Sequence, residues 1–267
     1  ALGIISSGQL ETYDQSAPLW FYITDFFYSL FGASQITSRL AGILFGTLTI
    51  LLMYMFTSHV FGNKKTGLVA ALLTSLSPFI SSSMRAEMDS TVVFFLAANL
   101  YLLYRGLNEN SNRLQYLSFI ALGVAILVKI YAILFIFIDL TYILYMHYYS
   151  DKKLVSKKLM KTVLLFILII FIFTIPTLTH NLLLYKQRGF VDLQFTRVFG
   201  IGKDKSAQFY SWDAQFEKSF NIKDIFSSDA GIFVSLKSLF IATPIIFVLG
   251  IIGMIPLFLK NKKLFLL

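Results

Sequence analysis

Apolar runs of fifteen or more residues recur along the chain, broken by short connections where the charges collect. The runs fall at about 37–61, 67–83, 90–107, 114–128, 130–148, 162–184 and 234–259. Each is continuously apolar rather than alternating, which predicts helices and excludes a lipid-facing barrel. Several reach the ~18 residues that read as a spanning helix. The expected fold is an all-α integral membrane protein, a polytopic helical bundle of about seven spans.

The run 114–148 needs two helices. At ~1.5 Å per residue it would be about 52 Å long, too long for one span. Both flanks are basic, so the chain must cross twice and turn at Lys129; the alternative is one tilted helix whose lysine snorkels. Ahead of the first span, "APLWFYITDFFYSLFG" (17–32) is aromatic and carries Thr24, Asp25 and Ser29 at near-helical spacing. It is too short to span, and an amphipathic helix in the outer interface fits it, with Trp20 anchoring at headgroup depth.

Composition agrees: 57% of the 267 residues are hydrophobic and 14% charged. The net charge of +9 does not point to nucleic acid, because the lysines sit beside apolar runs, as in "GNKKTG" and "DKKLVSKKLMK". They orient the chain. Lys64, Lys65, Arg105, Arg113, Lys152, Lys153, Lys157, Lys158, Lys161, Lys260, Lys262 and Lys263 fall in connections on one side, which the positive-inside rule makes cytoplasmic. The other side's short connections hold Arg85 and Lys129, with Arg39 at a helix start. Asp14, Arg85, Glu87, Asp89 and Lys129 are thereby gathered on the outer face. Segment 185–231, with seven basic and six acidic residues and many aromatics, is expected to cover the outer mouth of the bundle. The predicted organisation is a transmembrane module over 1–184, this outer-face segment, and a C-terminal transmembrane helix within 232–267. Further chain is expected at both ends, since the sequence starts at Ala1 without a leader and closes on the apolar "KKLFLL". No cysteine is present, so disulfides and thiolate metal sites are excluded.

Four features occur in order: Pro18-Leu19; Phe31-Gly32 with Arg39-Leu40; Ser77-Pro78 leading to Arg85 and Asp89 in "SLSPFISSSMRAEMDS"; and Gly123 with Lys129 in "GVAILVKIYAIL". Together they resemble the dolichyl-phosphate-mannose protein mannosyltransferase and aminoarabinose transferase group of GT-C membrane glycosyltransferases, over about residues 10–185. One departure stands out. The family's first acidic motif, which supplies the residue proposed as catalytic base, has no match. It lies upstream of Ala1, or is absent, or is replaced by Glu11 or Asp14; the first of these is the expectation.

The resemblance implies an inverting transfer from a polyprenyl-phosphate-linked sugar to a protein, lipid or glycan hydroxyl, at the outer face of a plasma or ER-type membrane. Such transfer needs a base for the acceptor proton and cations for the departing phosphate. Arg85 and Lys129 are the candidate phosphate ligands, Arg as a bidentate donor and Lys as a point charge. Asp89, Glu87 and Asp14 are the candidate catalytic carboxylates. Asp89 is also a candidate ligand for a divalent cation such as Mg or Mn, and an N-cap or an ion-pair partner of Arg85 on the bland reading. Tyr13 and His180 are possible substrate contacts, and Trp212 with Asp213 possible acceptor contacts. His59, His147 and His180 cannot form one metal site, because the first two fall at the opposite end of the spans from the third. Asp139, inside run 130–148, is expected to pair with Tyr142 or a neighbouring span. Two other classes remain open: a transporter or flippase of a lipid-linked substrate, for which Asp139 is the main candidate path residue, and an inactive membrane scaffold.

Overall fold

The structure, a computed structural model, describes residues 18–77, 86–151 and 156–192, together with 195, 196, 201 and 248. Among these the regular elements are all helical: α1 (Leu19–Phe31), α2 (Thr37–Phe61), α3 (Lys64–Ser75), α4 (Asp89–Asn108), α5 (Asn112–Val128), a 3₁₀ turn (Ile130–Leu134), α6 (Phe135–Asp151) and α7 (Lys157–Arg188). The segments Thr37–Phe61, Asp89–Asn108, Ile130–Tyr149 and Lys157–Arg188 have the length and apolarity to cross a membrane, and α5 is a shorter apolar helix. The C-terminal run 234–259 lies outside the described residues, apart from Val248.

Local chemistry sets the boundaries. Gly62, with φ of 62°, ends α2 in the left-handed conformation, and Asn63 caps α3 by accepting a hydrogen bond from the Lys65 N–H at 2.9 Å. The helix therefore begins at Lys64, before the charges that marked the edge of the apolar run. α7 likewise continues through its flanking lysines to Arg188, four residues beyond the expected end at 184, because Lys and Arg are good helix formers and leave a lipid-sized core without unwinding.

Among the described residues the chain divides into two compact units, one containing residues 19–174 and the other containing those between 175 and 248. In the first, α5 is the central helix. Phe119, Leu122, Ala125, Ile126 and Val128 are fully buried, packed with Leu103 of α4, Tyr142 and Ile143 of α6 and Phe166 of α7. Phe119 and Phe166 meet edge to face at 4.9 Å. Gly123 makes room for this packing: a Cβ there would lie 2.5 Å from the Phe173 ring. Gly67 does the same for α2 and α3, where a Cβ would lie 2.7 Å from the Tyr54 carbonyl oxygen.

α1 lays Leu19, Trp20, Ile23 and Phe27 against this core and leaves Tyr22, Phe26, Leu30 and Phe31 exposed. The Thr24 and Ser29 hydroxyls return to their own helix, donating to the Trp20 and Phe26 carbonyls. Trp20 corrects the sequence reading: at 6% exposure it is a core residue rather than a headgroup anchor.

Lys129 is where the long run 114–148 breaks. Its backbone is extended (φ −152°, ψ 118°) and ends α5, and the 3₁₀ turn then leads into α6. Polar contacts show that α6 returns alongside α5. Lys129 meets Asp89 at the start of α4; Asn99, ten residues along α4, contacts both Ser118 of α5 and Asp139 of α6; and Lys158, at the start of α7, reaches Asn110 beyond the end of α4. Asp139 is ten residues past Lys129 and Ser118 eleven before it, so both helices have travelled about 15 Å from the turn. A single tilted helix is excluded.

Candidate active site

α4 begins at Asp89, two residues after Glu87, and the C-terminal end of α5 brings Lys129 over it. The Lys129 ammonium donates to Asp89 Oδ1 at 2.5 Å. The Asp89 side chain is 50% exposed and that of Lys129 18%, so the carboxylate is open on one side while the ammonium is largely covered. Asp89 is the first residue of its helix and not the cap, which is Met88. A carboxylate in that first turn is favoured by the helix dipole, but its close partner is Lys129. Directly beneath, Ser90 and Thr91 are buried, and neither hydroxyl has a hydrogen-bond partner among the described residues. The start of α4 thus combines one cation, one carboxylate and two uncommitted hydroxyls.

Of the residues singled out from the sequence, Asp89 and Lys129 are brought together. Glu87 stands two residues before Asp89, partly buried in the irregular stretch ahead of α4. Arg85, Asp14, Tyr13, Glu11, Trp212 and Asp213 lie outside the described residues, so the expected joint phosphate site of Arg85 with Lys129 and the alternative Arg85–Asp89 ion pair fall there too. Among the described residues no three His, Asp or Glu side chains gather into a metal-binding group.

About 15 Å deeper, Asn99 donates to Ser118 Oγ at 3.0 Å, to the Ser118 carbonyl at 3.2 Å and to Asp139 Oδ2 at 2.8 Å. All three residues are fully buried. This clamp ties α4, α5 and α6 at one depth. The neighbouring-span partner expected for Asp139 is therefore Asn99, which the sequence reading had not singled out. Equal spacing from the two ends of the Asp89–Lys129 pair was the signal that would have found it.

At the far end, Arg105 holds Glu109 through hydrogen bonds of 2.7 and 3.1 Å, which keep the Glu109 carboxyl below its ordinary range. His59 lies 3.7 Å from the same carboxylate. His147 shares a 2.7 Å hydrogen bond with Ser156.

In the second unit, His180 Nε2 lies 3.8 Å from Asp192 Oδ2, and the Asn181 side chain grips Asp192 twice, accepting from its N–H at 2.9 Å and donating to its carboxylate at 3.3 Å. Asp192 is fully buried and His180 nearly so. Asp192 also escaped the sequence reading, because nothing along the chain marks it as a partner of residues eleven and twelve positions away.

The bundle, with its charged pair at one end and a buried polar clamp in mid-depth, defines a polytopic helical membrane protein. Residues 15–178 match the model of the dolichyl-phosphate-mannose-protein mannosyltransferase family, and the chain belongs to that family. An uncharacterized protein of Aquifex aeolicus (strain VF5) is 31% identical over 113 residues, covering 42% of this chain and 23% of that relative. The chain thus matches about a quarter of the relative's length. No solved structure matches.

Proposed function

We propose that this chain forms the membrane-embedded part of a glycosyltransferase that takes a sugar from a polyprenyl phosphate and passes it, with inversion, to a hydroxyl of a protein, lipid or glycan on the non-cytoplasmic face. Family membership supports the reaction class. The single structural observation that carries the site is the Asp89–Lys129 pair, set at the end of the bundle away from the lysine-rich connections.

In this reading the acceptor oxygen attacks the anomeric carbon, the bond from that carbon to the phosphate oxygen breaks, and the acceptor's proton goes to a base. Lys129, with Arg85, receives the charge that develops on the departing phosphate. Asp89 holds the Lys129 ammonium in place before the donor arrives and then orients it toward phosphate, while Glu87 lies close enough in sequence to position the sugar. Asp14, or a carboxylate preceding Ala1, is the base. The described carboxylates do not by themselves make a cation site, so no step is assigned to a metal ion.

The test uses membranes containing the full-length protein and a labelled polyprenyl-phosphate sugar. Label transferred by the unaltered protein and lost in Asp89→Asn supports the proposal. Movement of the labelled lipid across the bilayer without transfer supports a transporter, the reading to which buried Asp139 lends weight, and neither outcome leaves a scaffold role.

A further inference from the structure

At the opposite end of the bundle from Asp89 and Lys129, a pocket of about 360 Å³ opens between the end of α4, the start of α5, the end of α6 and the start of α7. Its volume falls at the lower end of the ~300–1,000 Å³ typical of small-molecule sites. Asn108, Asn110, Gln115, His147, Lys158 and Thr162 supply its polar wall, and the floor is apolar. None of the lining residues is acidic. The nearest carboxylate along the chain, Glu109, is taken up by Arg105.

We propose that this pocket binds a phosphoryl group, either the headgroup of an anionic phospholipid or free phosphate. Lys158 donates one N–H to Asn110 Oδ1 at 3.0 Å, which aims the ammonium at the pocket and leaves its other protons for a ligand. Two helices begin here. Ser111 Oγ accepts from the Leu114 N–H at the start of α5, and Ser156 Oγ accepts from the Leu159 N–H at the start of α7, so the positive ends of both dipoles lie on the same side. Lys157, Lys161 and Arg113 flank the opening in sequence and are partly or fully exposed. A basic recess between helices with an apolar floor recognises a phosphate joined to carbon chains through charge and through contact with the first methylenes. By the charge rule this end is cytoplasmic, so the site is separate from the proposed donor site, and its test is independent of transfer activity.

The full-length protein, reconstituted in phosphatidylcholine nanodiscs, is titrated with phosphatidylglycerol, and retained lipid is counted by native mass spectrometry. Saturable binding is expected, weakened about tenfold by Lys158→Gln, the loss of one charge-assisted hydrogen bond. Asn110→Asp is expected to weaken it similarly, because a carboxylate there neutralises Lys158 without removing it. Both side chains are exposed, so neither change threatens folding. Binding that resists millimolar inorganic phosphate identifies the lipid headgroup, and displacement by inorganic phosphate identifies the free ion. Equal retention by the unaltered protein and both variants, or equal retention of phosphatidylcholine, overturns the proposal.

Discussion

Replacing Lys129 by methionine removes an ammonium and keeps an unbranched stem of similar length, so it separates the two jobs the residue could have. If the pair with Asp89 serves stability, its loss should be felt in unfolding. The geometry argues otherwise: the Asp89 carboxylate is half exposed and remains solvated when its partner goes. Pairs of that exposure contribute about 0.2–1 kcal/mol, and the expected loss of stability is about 1 kcal/mol or less. A cation that stabilises the additional charge developing on the departing phosphate has a larger effect, about 2.7–4 kcal/mol for one preorganised donor, or about 10²–10³ in kcat. Lys129→Met should therefore unfold near the unaltered protein's midpoint in detergent while transferring labelled sugar about a hundredfold or more slowly per folded molecule. Lys129→Arg, which keeps the charge, should retain more activity than the methionine variant. A loss of several kcal/mol in stability with turnover per folded molecule unchanged would refute the assignment and make the pair a staple between α4 and α5.

Asn99→Leu deletes the two amide protons shared among the Ser118 and Asp139 acceptors and leaves Asp139 buried beside a hydrocarbon. At an average of ~0.6 kcal/mol for each such bond in a membrane bundle, the loss is about 1 kcal/mol before the orphaned carboxyl is counted. Unfolding in mixed micelles should show this, and the Asn99→Leu, Asp139→Leu double variant should recover at least part of it; additive losses would contradict the clamp. Gly123→Ala should cost about 1–3 kcal/mol by forcing the Phe173 ring aside, and Phe173→Leu in the same background should relieve it, both read from the unfolding midpoint. A Gly123→Ala midpoint equal to that of the unaltered protein would mean that α7 does not approach α5 as closely as described.

Much of the helical frame was legible because lipid imposes a simple rule: a run that cannot hydrogen-bond its backbone to water must be a helix. Residues 37–61 were predicted and found as a helix with those bounds. The reversal at Lys129 was legible from parity, since basic flanks on both sides of 114–148 require an even number of crossings. The edges at Lys64 and Arg188 were not, because hydropathy reports where lipid ends while caps and propensity decide where the helix ends. At the site, charge on the connections expected to be outer drew attention to both Asp89 and Lys129, yet their pairing with each other was not foreseen: forty residues separate them, and only the register of α4 against α5 brings them to 2.5 Å. Asn99 was missed for a related reason. One amide in an apolar run carries no direction until the helix that faces it is known. Trp20 was misread because amphipathic aromatics favour interfaces on average, while here the ring faces the bundle.

Because these 267 residues contain no cysteine, a single introduced thiol reports its own surroundings once any cysteine elsewhere in the full-length protein is replaced. Glu87→Cys, Lys129→Cys and Lys158→Cys variants, treated in intact cells with a membrane-impermeant maleimide, test whether the charged pair faces away from the cytoplasm. Labelling at positions 87 and 129 without permeabilisation, and at 158 only after it, is the result expected. Labelling at 158 in intact cells, with 87 and 129 protected until the membrane is opened, would invert the topology and remove the proposed donor site from the outer face.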